Sequence, residues 1–166
     1  MLVKLFRHAA ITALLAISAV SAITAPAASA DASSMFKQLA GSWHGVGNLT
    51  LADGSRERIS CRGYYVLKSG GDGLSIAILC NSPNRKIEVR SRVQESGGGV
   101  SGDWEERTFN ASGQVSGRAT GSSMRLSVSG SIQGSISIAL KGRSQSVNIS
   151  AAGTGFNGVS ISLSRG

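Results

Sequence analysis

The sequence predicts an all-β fold: an antiparallel up-and-down meander of about 8–10 short strands closing into a barrel, with a short helix at its start. Three observations carry this reading. From residue 42 onward, apolar and polar residues alternate with a period of two. Glycine-rich turn clusters separate the alternating runs. Folding the runs into sequential hairpins brings opposite charges and both cysteines into facing positions. A two-sheet β-sandwich uses the same pattern and is the alternative architecture.

The chain opens with a segment of a different kind. Lys4, Arg7 and His8 form a positive head, residues 9–25 are uncharged and mostly apolar, and Ala28-Ser29-Ala30 supplies small residues before Asp31. This is the pattern of a secretory signal peptide covering residues 1–30. It predicts a single domain over residues 31–166, working in the periplasm or outside the cell, where disulfides persist. After cleavage no remaining apolar run approaches the roughly 20 residues that span a bilayer, so the processed protein is expected not to be transmembrane. The chain of 166 residues carries a net charge of +8, or +6 once Lys4 and Arg7 are removed. In an exported protein that excess points to an anionic envelope component rather than nucleic acid.

A helix is predicted first, capped by Ser33 or Ser34, with Met35, Phe36 and Leu39 on one side and Gly41 ending it. Strands are predicted at 42–51, 56–67, 74–80, 85–95, 100–110, 114–121, 124–131, 135–141, 145–151 and 159–164. The first two are joined by a three-residue connection with Gly54 in the left-handed region, setting Leu49 opposite Ile59 and Gly47 opposite Cys61. A hairpin centred on Gly70-Gly71 sets Tyr65 opposite Ile76 and Leu67 opposite Leu74. It also sets Cys61 opposite Cys80, within disulfide range. Folding at Gly97-Gly98 pairs Arg92 with Asp103, Arg90 with Glu105 and Glu88 with Arg107 on one face, leaving Ile87, Val89, Val93 and Trp104 on the other. A one-residue slip would move that apolar set to the wrong side. A fold near Ala111-Ser112 sets Glu105 against Arg118, Thr108 against Val115 and Trp104 against Ala119. Val-Ser-Gly recurs at residues 100–102, 115–117 and 128–130. Inward glycines at these places would let curved strands bend as the sheet closes.

Catalytic chemistry has few carriers. His44 is the only histidine after the leader. It lies on the opposite face from Trp43, which predicts a solvent-facing side chain. A metal site of two histidines is excluded, and no nucleophile elbow or phosphate-binding loop is present. No catalytic residue, metal or cofactor is expected. Glu106 falls on the apolar face beside Trp104, where a carboxylate is costly unless paired. With Tyr65 and Trp104 it forms the candidate lining of a ligand cavity, and a local bulge turning Glu106 outward is the alternative. Arg56, Arg58 and Arg62 share one face of the second strand, and Lys86, Arg90 and Arg92 the outward face of the fourth. Together they are a candidate basic patch for lipid head groups, glycan or an acidic protein, or simply a solvated face.

A short helix followed by Gly41-Ser42-Trp43-His44-Gly45-Val46-Gly47 resembles the opening of calycin barrels, the lipocalin and fatty-acid-binding-like group. The Gly-x-Trp-x-Gly-x-Gly form is similar to the nitrobindin-like branch, which has ten strands and binds haem. The resemblance implies that an arginine near the last strand packs on the tryptophan, a place Arg165 fills. Residues 145–166 contain no histidine to match the haem ligand of that branch. The chain also resembles small, uncharacterised exported bacterial proteins. The expected function is non-enzymatic binding of a small apolar or amphipathic ligand. The alternative is a protein-interaction module such as a periplasmic protease inhibitor. In the inhibitors with barrels of this kind the N-terminal segment does the inhibiting, here residues 31–36.

Overall fold

Ten antiparallel strands run up and down in chain order and close into a barrel when the last pairs with the first. The computed structural model describes residues 32–152 and 155–166, with side chains from Met35 onward. The predicted leader and its cleavage site lie outside the described residues. Helix α1 spans Ala32–Leu39, followed by β1 (Gly41–Leu51), β2 (Arg56–Leu67), β3 (Gly73–Asn81), β4 (Lys86–Ser96) and β5 (Gly99–Glu106). Then come β6 (Ala111–Ala119), β7 (Ser123–Gly130), β8 (Gln133–Lys141), β9 (Ser144–Ala152) and β10 (Phe156–Arg165). Every predicted strand is present, and the barrel replaces the sandwich alternative. The helix begins at Ala32, so Ser33 and Ser34 sit in its first turn instead of before it. Among the described residues no helix is long and apolar enough to cross a membrane.

The β2–β3 and β4–β5 hairpins have the expected registers. Cys61 faces Cys80 and forms a disulfide with a Cα–Cα distance of 4.1 Å. Arg92 faces Asp103 and Arg90 faces Glu105. The side chains depart from this ladder in one respect. Arg90 Nε donates to Glu88 on its own strand at 2.8 Å, and Arg107 reaches the same carboxylate at 3.6 Å. The hydrogen bond from Arg90 holds the Glu88 carboxyl below the usual carboxylate range.

Two other registers differ from expectation. In β1–β2, Gly47 faces Ile59, Gly45 faces Cys61 and Leu49 faces Glu57, two residues away from the predicted alignment. The connection is of the predicted kind, with Gly54 at φ 84° and its amide bonded to Leu51 O, but it is centred on Asp53. Asp53 accepts both the amide and the hydroxyl of Ser55, which fixes that centre. In β5–β6, Trp104 faces Gly113 and Glu105 faces Ser112, six residues from the predicted pairing with Ala119 and Arg118. β5 stops at Glu106 because its carboxylate accepts the amides of Thr108 and Phe109, closing a tight turn through Asn110 at φ 54°. Both shifts are even, so no side chain changes face.

The inward glycines have a defined role. A Cβ on Gly102 would lie 1.9 Å from Arg92 O, and one on Gly117 2.0 Å from Arg125 O. Neighbouring backbones therefore lean into the space a side chain would fill, which lets the sheet coil tightly enough to close. Gly130, the third member of the repeat, has φ 117° and packs on the backbone of Ser112.

Helix α1 seals one end of the barrel. Met35, Phe36 and Leu39 are fully buried. Trp43 lies beneath them, its indole nitrogen donating to Leu39 O at 2.7 Å. Arg165, facing Trp43 across β1–β10, stacks 4.6 Å from the indole centroid and donates to the carbonyls of Ala40 and Gln38. The last strand thus ties down the helix that precedes the first. This is the packing that the resemblance implied for Arg165.

Candidate ligand site in the barrel interior

The barrel interior is asymmetric. Near α1 the inward side chains are almost completely buried: Leu74, Val147 and Leu163 at 1% exposure, Met124 at 0%. Toward the opposite end, inward residues such as Leu51, Ile87, Ala111, Ile132 and Phe156 are only partly buried. That end is ringed by the β1–β2, β3–β4, β5–β6 and β7–β8 connections, and no helix covers it among the described residues. A ten-stranded wall is wide enough that packing from one end need not fill the other.

The three predicted lining residues do point inward, but they do not converge. Trp104 is 7% exposed, and its indole nitrogen donates across β6 to Ser129 O at 3.1 Å. Glu106 lies two residues on, toward the uncapped end. Its carboxylate accepts three backbone amides: Glu88 at 3.2 Å, Thr108 at 3.0 Å and Phe109 at 2.6 Å. It is buried with its acceptors satisfied, which makes it a turn clamp rather than a free acid. The predicted outward bulge is absent.

Tyr65 sits at the sealed end. Its hydroxyl donates to Gln145 Oε1 at 3.2 Å. Around the wall the order is β2, β1, β10, β9, so this bond spans the interior between strands that do not pair. Burial pushes the Tyr65 hydroxyl up to about 12. Gln145 is 3% exposed, and its Nε2 is the one buried side-chain polar atom without a partner among the described residues. An amide donor left unpaired in an apolar interior costs about 1–3 kcal/mol. Gln145 was not among the predicted residues. Its signal is legible in hindsight: it shares the inward parity of Val147, Ile149 and Ala151.

The outer wall carries the remaining predicted groups. Arg56, Arg58 and Arg62 are exposed on β2, and Lys86, Arg90 and Arg92 on β4, with β3 between the two rows. Arg92 pairs with Asp103 at 3.4 Å and Arg90 with Glu88, so the β4 row is partly neutralised. His44 is exposed. Two shallow concavities lie on this wall, of about 340 Å³ over β7–β8 and about 300 Å³ between Tyr64 and Val66 on one side and Arg90 and Arg92 on the other. Among the described residues no group of three or more His, Cys, Asp or Glu side chains is placed to hold a metal ion.

Sealed at one end and lined by apolar side chains, the molecule belongs to the small closed antiparallel β-barrels. No family model matches the chain, and no curated protein matches it in sequence. Among solved structures, Rv2717c from M. tuberculosis is similar, with a TM-score of 0.60 at 15% identity, covering 77% of this chain and 92% of that one. At that identity the likeness concerns the fold. A calycin-type barrel is consistent with it.

Proposed function

We propose that the protein is an exported, non-enzymatic barrel that binds a small apolar or amphipathic ligand, entering at the end opposite α1. The carrying observation is the contrast in packing. The α1 end is closed by fully buried side chains, while inward apolar residues at the other end keep partial access to solvent. Apolar surface of that kind gains about 25 cal/mol per Å² when a ligand covers it. The disulfide and the signal-like leader support export. Scarcity of catalytic groups supports binding over chemistry. The inhibitor reading is less favoured, because Met35 and Phe36, which would have to reach a protease, are the residues that seal the barrel.

Native mass spectrometry of protein recovered from its own periplasm tests this. A retained non-covalent mass, released by organic solvent and competed by an apolar fluorophore that enhances on binding, is the expected result. Failure of any apolar probe to bind saturably, with Trp104 fluorescence unmoved, would rule the carrier reading out.

A further inference from the structure

We propose that the outer concavity over β7 and β8, with Arg125 in its lining and Arg118 beside it, binds a phosphate ester of a sugar or polyol. The site lies outside the barrel and does not depend on the carrier reading. Three observations carry it. The first is the distribution of charge. All nine Asp and Glu residues precede residue 107, so β6–β10 hold no carboxylate side chain. The same half of the wall exposes Arg118, Arg125, Lys141 and Arg143. On the other half, Arg90, Arg92 and Arg107 all find carboxylates.

The second observation is a like-charge pair. Arg118 faces Arg125 directly across β6–β7. Opposed side chains of an antiparallel pair have Cβ atoms about 4.5–5.5 Å apart, and like charges there are destabilising. On its other side Arg118 faces Gly99. The β5 carboxylates of Asp103 and Glu105 face Gln114 and Ser112 instead, about 14 and 20 Å further along β6. Neither arginine makes an ion pair or side-chain hydrogen bond among the described residues. A phosphate between the two guanidiniums converts that repulsion into two forked, charge-assisted contacts.

The third observation is what surrounds the pair. The concavity of about 340 Å³ is lined by the side of Arg125 and by Ser127, Ser135 and Ser137. In register, Arg125 faces Ser137 and Ser127 faces Ser135, so the serine hydroxyls sit next to the phosphate position. A hydroxyl both donates and accepts, which suits the hydroxyls of a sugar or polyol. The exposed large apolar side chains are Val46, Tyr64, Val66 and Phe109, none of them on β6–β10. A bilayer surface or stacked bases would call for such groups. A hydrophilic phosphate ester does not.

The test follows backbone amide shifts of the processed protein titrated with glucose 6-phosphate, inorganic phosphate and glucose. It uses wild type, Arg118→Gln/Arg125→Gln and, as a control for general positive charge, Arg58→Gln/Arg62→Gln. Glucose 6-phosphate should bind saturably, with shifts centred on Arg118, Arg125, Ser127, Ser135 and Ser137. It should bind about tenfold more tightly than glucose and about fivefold more tightly than inorganic phosphate. The first double variant should weaken it about tenfold or more, and the second should leave it unchanged. Without ligand, the first variant should melt higher than wild type, because the repulsion is gone. No saturable shift at these residues, or equal weakening in both variants, would overturn the inference. So would inorganic phosphate binding as tightly as glucose 6-phosphate. Sedimentation with phosphatidylglycerol vesicles at about 0.15 M salt, abolished by the first variant, would overturn it in favour of a lipid surface. Should that variant fail to fold, the location of the wild-type shifts and the order of the three probes decide alone.

Discussion

Replacing Glu106 with alanine should unfasten the turn between β5 and β6. The carboxylate accepts amides from Glu88, Thr108 and Phe109. Hydrogen bonds to a charged acceptor contribute about 1.5–3 kcal/mol each, but Thr108 and Phe109 are exposed and their amides can turn to water. The Glu88 amide lies behind the half-buried β4 wall and rehydrates less readily. Summing a partial loss at the turn and a fuller one at Glu88 gives about 2–4 kcal/mol for Glu106→Ala. Glu106→Gln keeps one acceptor oxygen and should lose about half of that. Urea unfolding of both variants measures the totals. Amide hydrogen exchange at Thr108, Phe109 and Glu88 reports the local effect, which should be at least tenfold faster in the alanine variant. If both variants stay within about 0.5 kcal/mol of wild type and exchange at those amides is unchanged, the clamp does not exist.

Three further outcomes follow from the same geometry. Replacing both Cys61 and Cys80 with alanine should cost about 3 kcal/mol in chemical denaturation, as expected for a cross-link 19 residues apart in sequence. Gly102→Ala should cost several kcal/mol or prevent folding, since the new methyl would meet Arg92 O, whereas Gly121→Ala, with open space around it, should stay within about 0.5 kcal/mol; thermal melts compare the two. Because the folded-state value of Tyr65 lies above the ordinary 10, its contribution to stability is complete below pH 10 and is lost as pH rises toward 12. Unfolding measured across that window should steepen with pH in wild type and flatten in Tyr65→Phe.

Much of the architecture was legible in the alternation of side chains, and the reasons for the misses are physical. The β2–β3 and β4–β5 registers were readable because each hairpin is pinned from two directions, by paired glycines at the turn and by facing cysteines or charges along the strands. The β5–β6 register was not. Alternation is blind to even shifts, so pairing Trp104 with Ala119 or with Gly113 satisfies it equally. What chooses between them is a buried carboxylate reaching back to its own turn and to the Glu88 amide on β4. Alternation along a strand does not display that contact. The interior site was read in the same partial way. Tyr65, Trp104 and Glu106 were assigned to the correct face, but which polar groups satisfy one another depends on strands distant in sequence. Gln145 is the partner of Tyr65 only because β9 lies across the barrel from β2.

Joining β1 to β10 has a consequence for how the molecule is made. The seam pairs Trp43 with Arg165, so the first strand cannot find its second neighbour until the final residues have emerged from whatever synthesises or transports the chain. Closure of that seam is a late, long-range event, of the kind that slows folding. The hairpin holding Cys61 and Cys80 needs no such wait, since its two cysteines lie 19 residues apart, and its cross-link gives the open chain one fixed point around which the remaining strands assemble.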